Sequence, residues 1–113
     1  MVQESTLQEL QVLEHNLQSL LHQKQSFQVE LNEITNALSE LDSTKDDVFK
    51  IISGVMIKSK PEELKSDLKE KQNVLSLRIE SIEKQQSLLE KKSKGLRDSL
   101  EKEMQKETNS DKQ

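Results

Sequence analysis

The sequence predicts a mainly α fold: a long antiparallel coiled-coil helical hairpin with one central β-hairpin that associates with the hairpins of other chains. Three observations predict it. Apolar residues recur in alternating steps of three and four along two separate runs. A short β-branched segment with one glycine lies between the runs. The supply of apolar residues, 31% against 34% charged with only two aromatic rings, is too thin for a compact core. Disorder also fits a lean composition, but it does not produce such strict apolar spacing.

The first helix is expected over about residues 5–44. Its seam is Leu10, Leu13, Leu17, Leu20, Lys24, Phe27, Leu31, Ile34, Leu38 and Leu41, a left-handed coiled-coil repeat that Lys24 alone interrupts. Ser5 and Gln8 have the spacing of a capping box, which starts the helix near Thr6.

Residues 45–60 form the hairpin region. Val48-Phe49-Lys50-Ile51-Ile52 and Val55-Met56-Ile57-Lys58 flank Ser53-Gly54, β-branched and aromatic residues around a short turn. A two-residue turn sets Ile52 opposite Val55 and Ile51 opposite Met56. Phe49, Ile51 and Met56 then share one face, while Val48, Ile52, Val55 and Ile57 share the other.

The second helix is expected over 61–106. Its seam is Leu68, Gln72, Leu75, Ile79, Ile82, Gln86, Leu89, Ser93, Leu96 and Leu100, with three polar interruptions. Ser59 and Glu62 offer a capping box, and Pro61 falls in the first turn, where its missing N–H is no loss. Gly95 lies inside the helix and disfavours it by about 1 kcal/mol relative to Ala. Residues 107–113 read as a polar, flexible tail, so that 1–113 forms a single unit.

Folding back at the hairpin brings Leu38 near Leu68, and Leu7 or Leu10 near Leu96 or Leu100. Lys24 and Gln86, both polar, fall at one level, as buried polar groups require. Each helix of about 40 residues extends roughly 60 Å. Lys24 is the only Lys or Arg before Lys45, so an acidic first half lies beside a more basic second half. Such exposed attraction biases pairing without driving it.

The hairpin carries the functional information. Its seven apolar side chains represent about 10 to 20 kcal/mol of potential burial. The end of a two-helix pair covers little of that, and an isolated two-stranded sheet is only marginally stable. Two free edges beside exposed apolar faces invite aggregation. Assembly resolves both problems if several hairpins join into a shared sheet or barrel. The alternative is a hairpin folded back onto its own helices.

This arrangement resembles the prefoldin family, archaeal-type or related eukaryotic, and the single hairpin resembles its β class; the α class carries two. The residues bearing the resemblance run from Asp46-Asp47-Val48-Phe49-Lys50 through Ile51-Ile52-Ser53-Gly54 to Val55-Met56-Ile57-Lys58. They are similar to a family pattern Val-Tyr-Lys-x-Val-Gly-x-x-Leu-Val-Lys, with Val48, Phe49, Lys50, Met56, Ile57 and Lys58 matching or replacing it conservatively. The family usually has Gly where this chain has Ser53, which leaves the turn type open. The resemblance implies a hexamer of two α and four β subunits, with a double β-barrel platform and six coiled-coil arms. It further implies that unfolded clients are held at the arm ends and delivered to a group II chaperonin without nucleotide. Val48, Phe49, Ile51, Ile52, Val55, Met56 and Ile57 are then the oligomerisation residues.

Val2, Leu7, Leu10, Leu100 and Met104 are expected to cluster at the arm end as a client-binding tip. Weak apolar contacts there need little shape specificity, and Met104 is adaptable. Leu10 and Leu100 read equally as the last turn of the seam.

No catalytic constellation is evident, and no cofactor is implied. His15 and His22 are seven residues apart, two turns along one face, so both read as solvated helix histidines. Gly54 and Gly95 stand alone, which excludes a phosphate loop. The absence of cysteine excludes a thiolate site. A net charge of −4 argues against general nucleic-acid binding, and no run reaches the length of a membrane span. Gln3, Glu4 and Ser5 do not suit a signal peptide, so a cytoplasmic protein is expected. Two rivals remain: a tethering coiled-coil scaffold, which gives no reason for a two-faced apolar hairpin, and a lipid-surface helix, which the acidic first helix disfavours.

Overall fold

The computed structural model describes residues 2–111, with side chains for residues 4–107. In chain order it holds α1 (Val2–Asp42), β1 (Val48–Ile52), β2 (Val55–Ser59) and α2 (Pro61–Asp111). The fold is mainly α, two long helices joined through a two-stranded antiparallel sheet.

Helix ends follow local chemistry that differs from the capping spacings. α1 already runs at Val2, so Ser5 lies within it and not at its cap. Gln3 and Glu4 are adequate helix formers, and Glu4 favours the positive end of the helix dipole. At the other end, the Ser43 and Thr44 hydroxyls donate to the Glu40 carbonyl at 3.0 and 2.8 Å. Backbone N–H groups of the same two residues reach Glu40 and Leu41 carbonyls, closing the helix.

The Ser59–Glu62 box does not form either. Ser59 is the last residue of β2, and its hydroxyl lies 3.5 Å from the neighbouring Lys60 carbonyl. Lys60 takes the cap position, its carbonyl accepting the Leu64 N–H at 3.1 Å, and Pro61 is the first helical residue. α2 continues to Asp111, beyond the expected end at 106. Glu103, Gln105, Lys106 and Glu107 are good helix formers with no breaker among them. Lys112 and Gln113, in the expected tail, lie outside the described residues.

The chain divides into two compact units. One unit is Lys24–Glu80, and the other is Met1–Gln23 with Ser81–Gln113.

In Lys24–Glu80, Ile34, Leu41, Leu75 and Ile79 are buried, with Phe27, Leu31, Leu38 and Leu68 half-buried. All are seam positions read from the three–four spacing. The helix segments run antiparallel, since partners descend on α1 as they rise on α2. Lys65 Nζ lies 3.2 Å from Asp42 Oδ1, Gln72 Nε2 donates to Thr35 Oγ1 at 3.4 Å, and the Arg78 guanidinium sits 5.7 Å from the Phe27 ring centroid. Gln72, polar in the seam, thus finds a partner on the facing helix.

In the other unit, Leu10, Leu13 and Ile82 are buried, with Leu17, Leu20, Leu89, Leu96 and Leu100 half-buried. Arg97 Nη2 donates to Glu14 Oε1 at 3.0 Å across the pair. Ser93 is only 3% exposed, and among the described residues its hydroxyl has no hydrogen-bond partner.

Candidate functional sites: the hairpin and the chain ends

The strands pair as the two-residue turn predicts, Ile52 with Val55 and Ile51 with Met56, then Lys50 with Ile57, Phe49 with Lys58 and Val48 with Ser59. Ser53 and Gly54 both have positive φ, +50° and +80°, the signature of a type I′ turn. That settles the turn type left open by the serine. This turn matches the right-handed twist of the strands, while Ser53 bears the strain of a left-handed conformation.

Pairing sorts the side chains into two faces. Phe49, Ile51 and Met56 lie on one face, and all three are exposed, Ile51 at 70% and Met56 at 69%. On the other face Val48 and Lys50 are half-buried and Ser59 is buried, while Ile52, Val55 and Ile57 are exposed. An open groove of 640 Å³ lies between the hairpin and α2; Lys50, Ile51 and Ile52 border it on one side, Leu64, Leu68 and Val74 on the other. Glu30, Asp67 and Glu70 contribute carboxylates to the same groove, and Lys71 and Arg78 contribute cations. At the strand base, Lys58 Nζ pairs with Asp47 Oδ2 at 3.0 Å, both exposed.

Each face carries one lysine, Lys58 on the first at the strand base and Lys50 on the second at mid-strand.

Toward the chain ends the expected tip residues differ in exposure. Leu10 is buried and Leu100 half-buried. Leu7 and Met104 are exposed. The Val2 side chain lies outside the described residues. Beside Leu13, an open groove of 440 Å³ is lined by Val12, Leu13 and Leu89 with polar Ser5, Gln8 and Lys92.

Among the described residues, no group of three or more His, Asp or Glu is placed to hold a metal. No described helix is long and apolar enough to cross a membrane.

Two long helices joined through a single, largely uncovered apolar β-hairpin define a coiled-coil subunit of the helix–hairpin–helix class. Residues 4–107 match the family model described as prefoldin subunit. The chain is 34% identical over 95 residues to prefoldin subunit beta of Thermococcus kodakarensis, covering 82% of this chain and 81% of that one. With prefoldin subunit beta of Methanothrix thermoacetophila it shares 31% over 99 residues, covering 86% and 82%. The crystal structure of the prefoldin beta subunit from Thermococcus strain KS-1 superposes with a TM-score of 0.83 at 29% identity, covering 88% of this chain and 90% of that one. The chain belongs to the prefoldin family, as a β-type chaperone subunit.

Proposed function

We propose that this chain acts in a hexamer of two α-type and four β-type prefoldin subunits, an ATP-independent chaperone. In this reading the hairpins assemble into a barrel platform. The helical arms hold unfolded clients at their ends and deliver them to a group II chaperonin in the cytoplasm. The observation that carries the reading is the exposed apolar hairpin in a prefoldin chain. Exposed apolar area of this size costs free energy in water, and other hairpins with free edges supply the matching surface.

Client capture is assigned to Val2, Leu7 and Met104. Exposed leucine and methionine at the helix ends offer contacts that suit many unfolded sequences. Leu10 and Leu100 support this surface from the seam.

The test compares the intact mixed complex with one truncated at both chain ends. Suppression of aggregation of a denatured client should fall on truncation, while the complex still forms. Suppression equal to that of the intact complex contradicts the assignment.

A further inference from the structure

We infer that the groove beside Leu13, together with Leu88, Lys91 and Lys92 of α2, binds unfolded segments whose apolar residues are flanked by carboxylates. The inference rests on the proposed client capture and names the class of segment captured.

Two features of one unit meet here. The first is an open apolar surface. Leu13 and Leu89 line the groove, buried and half-buried, while Val12 beside them is 59% exposed. Leu88, next to Leu89 in α2, is 68% exposed. An extended segment laid along this surface gains by covering Val12 and Leu88, and it needs no fixed shape to do so.

The second feature is charge. On a helix, residues three or four apart are neighbours. In this unit Lys84, Lys94, Arg97, Lys102 and Lys106 each have an Asp or Glu at that distance along α2. Lys91 and Lys92 have none; the positions around them hold Ser87, Leu88, Leu89, Lys94, Gly95 and Leu96. Both lysines are exposed, and among the described residues neither takes part in an ion pair. Leu88 lies one turn before both of them. Lys92 also lines the groove, where Glu9 is the one carboxylate. One acid against two lysines leaves a positive surplus beside the exposed leucine. A carboxylate next to a client's apolar residue is attracted to that surplus, and a client lysine is repelled.

The same reasoning selects the occupant. A second copy of this chain could offer its acidic α1, but the apolar seam of that helix is already covered by its own α2. An unfolded segment presents its apolar residues and its carboxylates together.

The test uses the mixed complex with an α-type prefoldin subunit, as wild type and with the double substitution Lys91→Gln and Lys92→Gln. Two unstructured peptides with identical apolar residues are titrated at low salt, one with glutamates beside those residues and one with lysines. The glutamate peptide should bind the wild-type complex about threefold to tenfold more tightly, as two exposed charges allow, and added salt should narrow the gap. The double variant should lose the preference, with helix content and complex formation confirmed by circular dichroism and sedimentation. Equal binding of both peptides by the wild-type complex, or a preference that survives in the variant, overturns the inference and leaves client capture standing. Failure of the complex to bind either peptide removes both. Complexes that pair in sedimentation as wild type and separate as the variant give the surface to a second copy, which also overturns the inference.

Discussion

Ile51 lies directly opposite Met56 across the hairpin, and each leaves more than two-thirds of its surface in solvent. A cross-strand apolar pair is ordinarily a unit of sheet stabilisation, but only when something dry lies above it. Here most of both side chains faces solvent. Replacing either residue with lysine should leave the helices intact and abolish the mixed complex, because an unpaired charge would be buried at its centre. Sedimentation after mixing with an α-type subunit measures this; normal assembly by Ile51→Lys counts against the account.

Ser53 occupies the first central position of a type I′ turn at φ +50°, where glycine or asparagine is preferred. Ser53→Asn should stabilise the hairpin by about 1 kcal/mol through relief of left-handed strain. Slower amide exchange in β1 and β2 would show it. Faster exchange would mean that the turn is held by something other than its own backbone preference.

Much of this architecture was legible in the sequence. All twenty seam positions from Leu10 to Leu41 and from Leu68 to Leu100 are buried or half-buried. The spacing identifies them because a helix face has a fixed period. The strand register was equally legible, since Gly54 allows a two-residue turn and that turn admits one pairing. The caps at Ser5 and Ser59 were misplaced. A serine followed by an acid or amide three residues later is a local signal, and it does not outweigh helix formers upstream or a strand that runs one residue further. Which hairpin residues border the groove beside α2 was not legible. It depends on the angle at which β1 and β2 leave the helices, which no short motif encodes.

The buried Ser93 hydroxyl without a partner marks a weak level in its unit. Ser93→Ala removes the orphan group and should raise stability by about 1 kcal/mol, within the usual cost of an unsatisfied buried hydroxyl. Urea denaturation of the complex measures it. A loss of stability instead would show that the hydroxyl is satisfied in solution.

Gly95 has open space around the position of a Cβ and a helical backbone. Gly95→Ala should therefore stabilise α2 by about 1 kcal/mol with no steric penalty. The thermal midpoint should rise. A fall would indicate a neighbour packed against the glycine in the assembled state.

By contrast, the Glu14–Arg97 contact lies on an exposed surface. Arg97→Met should change stability by less than about 1 kcal/mol, and added salt should leave even that small difference reduced. A large, salt-insensitive loss would assign the arginine a buried role absent from this structure.

The most direct measurement is the native mass of the chain with and without an α-type prefoldin subunit. The account predicts a defined six-chain species, four copies of this chain with two of the partner, whose formation protects the hairpin. A lone monomer that ignores the partner and remains soluble with Ile51 and Met56 in water would contradict it.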